Sequence, residues 1–307
     1  MYYWFLIEQP VDFTVKARNA VGVTVEAKLA GVTRDQLGKS QNPVNATMKA
    51  SLARLDWSAN NLSLRFLKGP SVAELRIPSF TADNFQQWIE NTFKTLHEKD
   101  TKVLIIDLRG NGGGRDMNGA LLVSCLTDKP FRYFDRITAK TIEPTFKAQA
   151  DWSDERTSQL RQEVTPNPLG GYLVKHPGMA EQAPGKYPFL GKVIVLIDGG
   201  VFSTAADFCA VTHHLRRATF IGEETGGGYC GNNSGSFAMV TLPNSKFEMR
   251  LPLYAYWNAV SGSGGNRKGT LPDHVVVTKA ANLLRGVDEQ LDLALTLAAA
   301  IPNEERK

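Results

Sequence analysis

Twice along this chain a continuous apolar run ends in closely spaced glycines and passes at once into a stretch of helical character. That grammar restricts the fold more than any other feature of the sequence. The first instance is Val103-Leu-Ile-Ile-Asp107, then Gly110-Asn-Gly-Gly-Gly114, then a helical stretch to about Leu126. The second is Lys192-Val-Ile-Val-Leu-Ile-Asp198, then Gly199-Gly200-Val-Phe-Ser203, then a helix through about Leu215. Strands apolar on both faces must be covered on both, and parallel neighbours need crossover helices. Two such units therefore predict an α/β fold built on a largely parallel sheet.

The remaining segments are read around that centre. Residues 11 to 29 alternate apolar and polar on either side of Arg18-Asn19-Ala20, which predicts a hairpin. A second pair, with Leu62, Leu64 and Phe66 in one run and Val72, Ala73, Leu75 and Ile77 in the next, is joined across Lys68-Gly69-Pro70. From Asp83 to about Glu98, Phe85, Trp88, Ile89, Phe93 and Leu96 fall on one helical face behind an acidic first turn. Residues 143 to 190, rich in Pro and polar groups, read as an irregular segment that covers the core or inserts into it. Strands follow near 236 to 242 and 247 to 253, Ser261-Gly-Ser-Gly-Gly265 reads as a flexible loop, and a helix from Asp288 to Ala299 closes the chain.

With 307 residues, 42% of them hydrophobic, the chain can bury a sizeable core in one large domain or two ordinary ones. A net charge of +4, with the 35 basic residues scattered, lacks the stripe of a nucleic-acid binder. No apolar run reaches the roughly 18 residues of a membrane helix. The start, Met1-Tyr-Tyr-Trp-Phe-Leu-Ile followed by Glu8, does not read as a signal peptide. Cys125, Cys209 and Cys230 are spread without a C-x-x-C pair, so free thiols are expected and neither a metal site nor a disulfide framework is signalled.

A glycine loop after a strand first suggests a bound phosphate, but the dinucleotide pattern from Gly110 needs a third glycine where Arg115 stands, and no P-loop occurs. Glycines 112 to 114 would equally offer bare N–H groups to an oxyanion, or form a turn with no further role. Ser203 opens a helix, where free amides and the dipole favour negative charge. The commonest role of a serine there is an N-cap. It is not a G-x-S-x-G elbow, since Val201 and Ala205 flank it.

Ile105-Ile-Asp-Leu-Arg-Gly-Asn-Gly-Gly-Gly114, Val195-Leu-Ile-Asp-Gly-Gly-Val-Phe-Ser-Thr-Ala-Ala-Asp-Phe208, Phe220-Ile-Gly-Glu-Glu-Thr-Gly-Gly-Gly228 and Gly269-Thr-Leu-Pro-Asp273, with Asp288-Glu-Gln-Leu-Asp-Leu-Ala-Leu295 behind, resemble the S41 family of serine peptidases in order and spacing. That family holds the C-terminal (tail-specific) processing proteases, the tricorn-like proteases and retinoid-binding repeats. The resemblance runs from about residue 61 to the end. It implies a ClpP/crotonase-like core of parallel sheet and helices over 61–307, preceded by a β-rich region over 1–60 resembling the last strands of a PDZ-like or cap domain. It also implies a polypeptide substrate, no cofactor or metal, and an extracytoplasmic location. Carried over by position, Ser203 is the nucleophile, and the backbone N–H groups of Thr204 and Gly113 form the oxyanion hole.

The departures from the family concern the proton acceptor. The family's lysine, 25 residues after the serine, is Gly228 here. Arg76 stands about where the tricorn-like branch has a histidine, and a guanidinium accepts no proton. The glutamate expected before the Gly-x-x-Pro-Asp turn is missing from Gly264-Gly-Asn-Arg-Lys268. Assistance from the loop is left to Glu223, Glu224 or Tyr229, with Tyr229 orienting a water or the serine and the glutamates tying loop amides. His213 and His214 lie too far along their own helix, about 16 Å from its start at His214, while His274 and Cys230 are weaker candidates. The expectation is a weak endopeptidase or carboxyl-terminal processing peptidase, with turnover raised by a lysine at Gly228. The alternative is a non-catalytic binding protein of the same fold for a peptide or apolar ligand.

Overall fold

The computed structural model describes residues 12–18, 22–31, 62–67, 71–261, 268–279, 281–282 and 285–300. The chain divides into two units, one taking Met1–Asp56 and Thr278–Asp288 and the other Trp57–Val277 and Glu289–Lys307. In the first, β1 (Asp12–Arg18) and β2 (Thr24–Ala30) form the expected antiparallel hairpin, with Asp12 opposite Ala30 and Arg18 opposite Thr24. Lys16–Glu26 at 3.1 Å and Lys28–Asp12 at 2.9 Å pair charges across it. Asn19 and Ala20 of the expected turn lie outside the described residues.

The second unit begins with β3 (Ser63–Phe66), β4 (Val72–Arg76), α1 (Phe85–Glu98), β5 (Val103–Asp107), α2 (Asp116–Ser124), β6 (Phe131–Arg132) and β7 (Phe134–Ala139). It continues through α3 (Asp154–Glu163), β8 (Val164–Pro166), β9 (Tyr172–Val174), β10 (Glu181–Gln182) and β11 (Lys192–Ile197). It ends with α4 (Thr204–His214), β12 (Thr219–Gly222), β13 (Gly231–Thr241), β14 (Glu248–Asn258), β15 (His274–Val275) and α5 (Glu289–Ala299). The main sheet has the order β15-β12-β11-β5-β4-β3, parallel throughout except for the β3–β4 edge.

The two apolar runs stand at its centre, and their alternation feeds two cores. Leu104, Ile106, Val193, Val195 and Ile197 face Ile89 and Phe93 of α1, Leu122 of α2 and Phe208 of α4. Val103, Ile105, Ile194 and Leu196 face Ala294 and Ala298 of α5. This period of two is the strand pleat acting on a run that is apolar at every position.

Three expectations are corrected. Residues 143–190 are not irregular: they supply α3, capped by the Ser153 side chain accepting from the Arg156 N–H, and the strands β8 and β9. With β7, β13 and β14 these make a five-stranded antiparallel sheet, β13-β14-β7-β9-β8. The strands are two to three residues long and α3 buries only Thr157 and Leu160, so neither carries a periodic signal. The tail strands are longer than expected, each 11 residues. Helix α1 starts at Phe85 without an acidic first turn: Asp83 lies before its Asn84 cap and pairs with Arg115. Residues 262–265 of the expected glycine-serine loop lie outside the described residues.

Candidate active site

The site grows from the adjacent ends of β5 and β11. These strands are neighbours in register, Leu196 beside Asp107, so the glycine loops that follow them lie side by side. Asp198 ties the loops together, its Oδ1 accepting from the N–H of Gly110 and of Gly200, both at 2.9 Å. Asp107 and Arg109 form a buried two-point pair (2.9 and 2.8 Å), and Arg109 reaches Gln290 of α5 at 3.2 Å. Asn111, fully buried, binds three segments. Its Nδ2 donates to Ile77 O (2.7 Å), its Oδ1 accepts from the Gly113 N–H (2.8 Å), and its carbonyl accepts from the Phe202 N–H (3.0 Å). The charged and amide residues of the first two motifs are thus scaffolding for the loops.

Ser203 stands at the N-terminal end of α4 with φ 50° and ψ −132°, and its side chain makes no capping hydrogen bond. A non-glycine residue at such angles is strained, and surrounding structure must hold it there. Gly113, at φ 103°, packs against it: a β-carbon at Gly113 would lie 2.6 Å from Ser203 Cβ and 3.1 Å from its Oγ. The expected N-cap role is therefore not taken up, and the hydroxyl faces the glycine loop over a helix N-terminus. Among the described residues the N–H of Thr204, at the first turn of α4, forms no hydrogen bond. The Gly113 N–H, in contrast, is donated to Asn111, while those of Gly112 and Gly114 are unpartnered among the described residues.

The third motif closes on the same point. A β-carbon on Gly227 would meet Ser203 N at 3.3 Å, and Gly227 N–H donates to Val201 O at 2.9 Å. The loop is tied to the fourth motif by Glu224 Oε1 accepting from Gly269 N–H (2.7 Å) and by the Thr270 N–H donating to Thr225 Oγ1 (2.8 Å). Gly228 is less receptive than its sequence position implies. A β-carbon there would stand 2.7 Å from Gly231 O, so a lysine requires the backbone to shift. Tyr229 is turned away from the serine: its hydroxyl lies 3.1 Å from His213 Nδ1, in the last turn of α4, and burial raises its pKa further. Less of it is therefore present as phenolate near neutrality than of a free tyrosine.

The other candidates are not gathered at Ser203. His214 Nδ1 accepts from the Ser261 N–H at 3.3 Å, and His274 is exposed on β15, two strands from β11, or about 10 Å. Arg76 closes β4 beside Asp107. Cys230 is half-buried, while Cys125 and Cys209 are buried, burial pushing the Cys125 thiol up to about 12.

Reading the sequence missed a polar cluster beneath the site. Thr204, wholly buried, places its Oγ1 3.0 Å from Gly114 O and 3.2 Å from Asp116 Oδ1. His176 Nε2, from the segment after β9, lies 3.6 Å from Asp116 Oδ2. Burial raises the Asp116 carboxyl and lowers the His176 imidazole from their ordinary values. One turn further along α4, Asp207 is buried with both oxygens 3.0 Å from Asn232 Nδ2, and burial pushes its pKa up to about 7. Lys268 reaches the loop as well, its carbonyl accepting from the Tyr229 N–H at 2.8 Å, and it lines with Gly228 a cleft of about 190 Å³. Only Asp116 had a signal, an acidic residue opening a helix behind the glycines; the rest are separated by long stretches of chain.

No curated protein is detectably similar in sequence. A crystallised mutant of CPAF superposes with a TM-score of 0.59 at 17% identity, covering 96% of this chain and 70% of that one. Mature CPAF complexed with lactacystin gives 0.55 at 17%, covering 95% and 67%. A protein of Parabacteroides merdae ATCC 43184, crystallised as a candidate peptidase, gives 0.55 at 20%, covering 80% and 67%. These likenesses establish a shared fold. The family model of peptidase family S41 matches residues 71–276, which include both glycine loops, Ser203 and the third and fourth motifs. By that match over two thirds of its length, the chain belongs to peptidase family S41.

Proposed function

We propose that the protein is a serine peptidase acting on extended or unfolded polypeptides through Ser203. The observation that carries this is the strained backbone of Ser203, with its hydroxyl unengaged as a cap and set against Gly113. In the reaction Oγ bonds to the substrate carbonyl carbon, the peptide C–N bond breaks, and the amine leaves with the proton that Oγ gave up; water then releases the acyl group. The Thr204 N–H and the amide of Gly113, released from Asn111, hold the oxyanion. With Glu224 and Tyr229 engaged elsewhere, no side chain among the described residues serves as an evident base, so turnover is slow. We also propose that residues 1–60 are a β-rich accessory region and that the protein acts outside the cytoplasm, as its family resemblance implies; cell fractionation checks the location.

A fluorophosphonate probe tests the nucleophile. Mass spectrometry should place the adduct on Ser203, and Ser203→Ala should abolish both labelling and casein hydrolysis. An adduct on another serine, or one that survives the substitution, would overturn the assignment. A second reading, a non-catalytic binder of peptide or apolar ligands, draws on the Gly113 amide already donated to Asn111. It is favoured if the folded protein takes up no probe.

A further inference from the structure

The buried cluster between α2 and α4 bears on how the two halves of the anion site are held together. Thr204 has one hydroxyl proton and two acceptors within reach, Gly114 O at 3.0 Å and Asp116 Oδ1 at 3.2 Å. Its rotamer is set by packing. The methyl group lies over Gly119, where an added β-carbon would be only 2.8 Å from Thr204 Cγ2 and 2.3 Å from the Tyr133 hydroxyl, so the hydroxyl is directed to the loop. Tyr133 in turn donates to Thr204 O at 3.2 Å.

Asp116 is oriented from its other side. The Gly178 N–H donates to His176 Nδ1 at 3.1 Å, which places the proton of the neutral ring on Nε2, facing Asp116 Oδ2 at 3.6 Å. A partly exposed carboxylate is thereby fixed against a fully buried hydroxyl, which is fixed against the carbonyl of the glycine loop. Among the described residues the other hydrogen bonds on this loop are Phe80 N–H to Gly113 O (3.0 Å), Ser79 Oγ to Gly113 O (3.2 Å), Asn111 to the Gly113 N–H, Arg115 N–H to Phe80 O and, just before the glycines, Phe202 N–H to Asn111 O, which ends two residues short of α4. None of these reaches α4.

We infer that the Thr204 side chain, steered by Asp116 and His176, is the positioning element that clamps the glycine loop 112–114 to the N-terminus of the nucleophile helix. One residue then offers its own N–H to the oxyanion and, through its hydroxyl, sets how far away the opposing amides stand. Asp116 and His176 touch no reacting atom in this scheme and act through Thr204. The inference rests on the serine-peptidase reading for its catalytic consequence, but the clamp itself is a property of the folded protein.

Two readouts separate those levels. The first needs no reaction: amide hydrogen exchange of Gly112, Gly113 and Gly114 by NMR in the full-length protein, compared between wild type and Thr204→Val, which keeps the shape and removes the hydroxyl. The clamp requires faster exchange at Gly113, whose N–H is the hydrogen-bonded one, in the valine variant and recovery in Thr204→Ser, with the unbonded Gly112 and Gly114 amides as references. Equal exchange in the folded variants overturns the inference, whatever the enzyme does. The second is the rate of fluorophosphonate labelling at Ser203. Displacing one half of the anion site should slow it by roughly ten- to a hundredfold in Thr204→Val, with most of the loss recovered in Thr204→Ser and a smaller loss of the same kind in Asp116→Ala. Should Thr204→Val not fold, the Asp116→Ala variant, altered at a partly exposed position, carries both measurements. Faster glycine exchange without probe uptake by wild type would uphold the clamp and remove the peptidase reading. Uptake that is indifferent to the hydroxyl would remove the clamp and leave the nucleophile standing.

Discussion

At the scale of single residues, the site is assembled from positions whose conformations most side chains avoid. Ser203 sits at positive φ, and Gly113 and Gly114 at φ 103° and 152° face it and the Phe80 backbone at distances that leave no room for a β-carbon. Gly113 therefore serves two ends, its backbone conformation and its close approach to Ser203. Replacing it by valine should lower probe uptake and peptide hydrolysis by about a hundredfold or more, and should also destabilise the fold, since the 2.6 Å contact with Ser203 Cβ must be relieved. Thermal melting alongside the labelling rate checks this. A folded Gly113→Val protein that labels at the wild-type rate would show that the loop is only a turn. The glycine spacing was readable in the sequence, but the engagement of the Gly113 N–H by Asn111 was not, because a two-residue side-chain bond leaves no pattern beyond the presence of an asparagine.

At the scale of elements, α4 and the loop of residues 223–230 decide what can assist Ser203. The family resemblance makes Gly228 the vacant lysine position, yet a side chain there would first meet Gly231 O at 2.7 Å. Gly228→Lys is accordingly expected to lower the melting temperature and leave casein hydrolysis unimproved; increased hydrolysis at unchanged stability would show that the loop accommodates the amine. Tyr229 illustrates the same limit. Its place beside the vacancy suggested a role at the serine, whereas the hydroxyl pairs with His213 because both lie on one flank of α4. The elements themselves were legible where the apolar pattern was long, as in β5, β11 and α5. They were not legible where two or three residues make a strand against a partner tens of residues away, as in β9 against β7 in the second sheet.

At the scale of the whole molecule, the buried Asp207 links stability to pH. Burial pushes its carboxyl up to about 7 from an ordinary 3.8, against hydrogen bonds from Asn258 and Asn232 that act the other way. Between about pH 4 and 7 the unfolded chain releases this proton while the folded chain keeps it, so stability falls as pH rises through that window and levels off above it. The full effect is at most roughly 4 kcal/mol. Asp207→Asn should therefore gain stability over wild type by about 2 kcal/mol or more at pH 8 and by much less at pH 4. Denaturant unfolding at the two pH values checks this, and a gain equal at both would mean that the carboxyl does not titrate on folding.

What the sequence determined by itself is the frame: two doubly buried strands, each delivering a glycine loop and a helix, with a serine at the head of the second helix. These are local properties, set by apolar runs and by the backbone freedom of glycine, and they are present in any window of a dozen residues. What only the tertiary structure decided is which groups meet there. Asp116 and His176 are 60 positions apart, and Asp207 meets Asn232 from 25 positions away. Hydrogen bonds and desolvation act over a few ångströms of space regardless of distance along the chain. The polar surroundings of Ser203 are therefore fixed by packing of the two sheets and their helices, which no local pattern records.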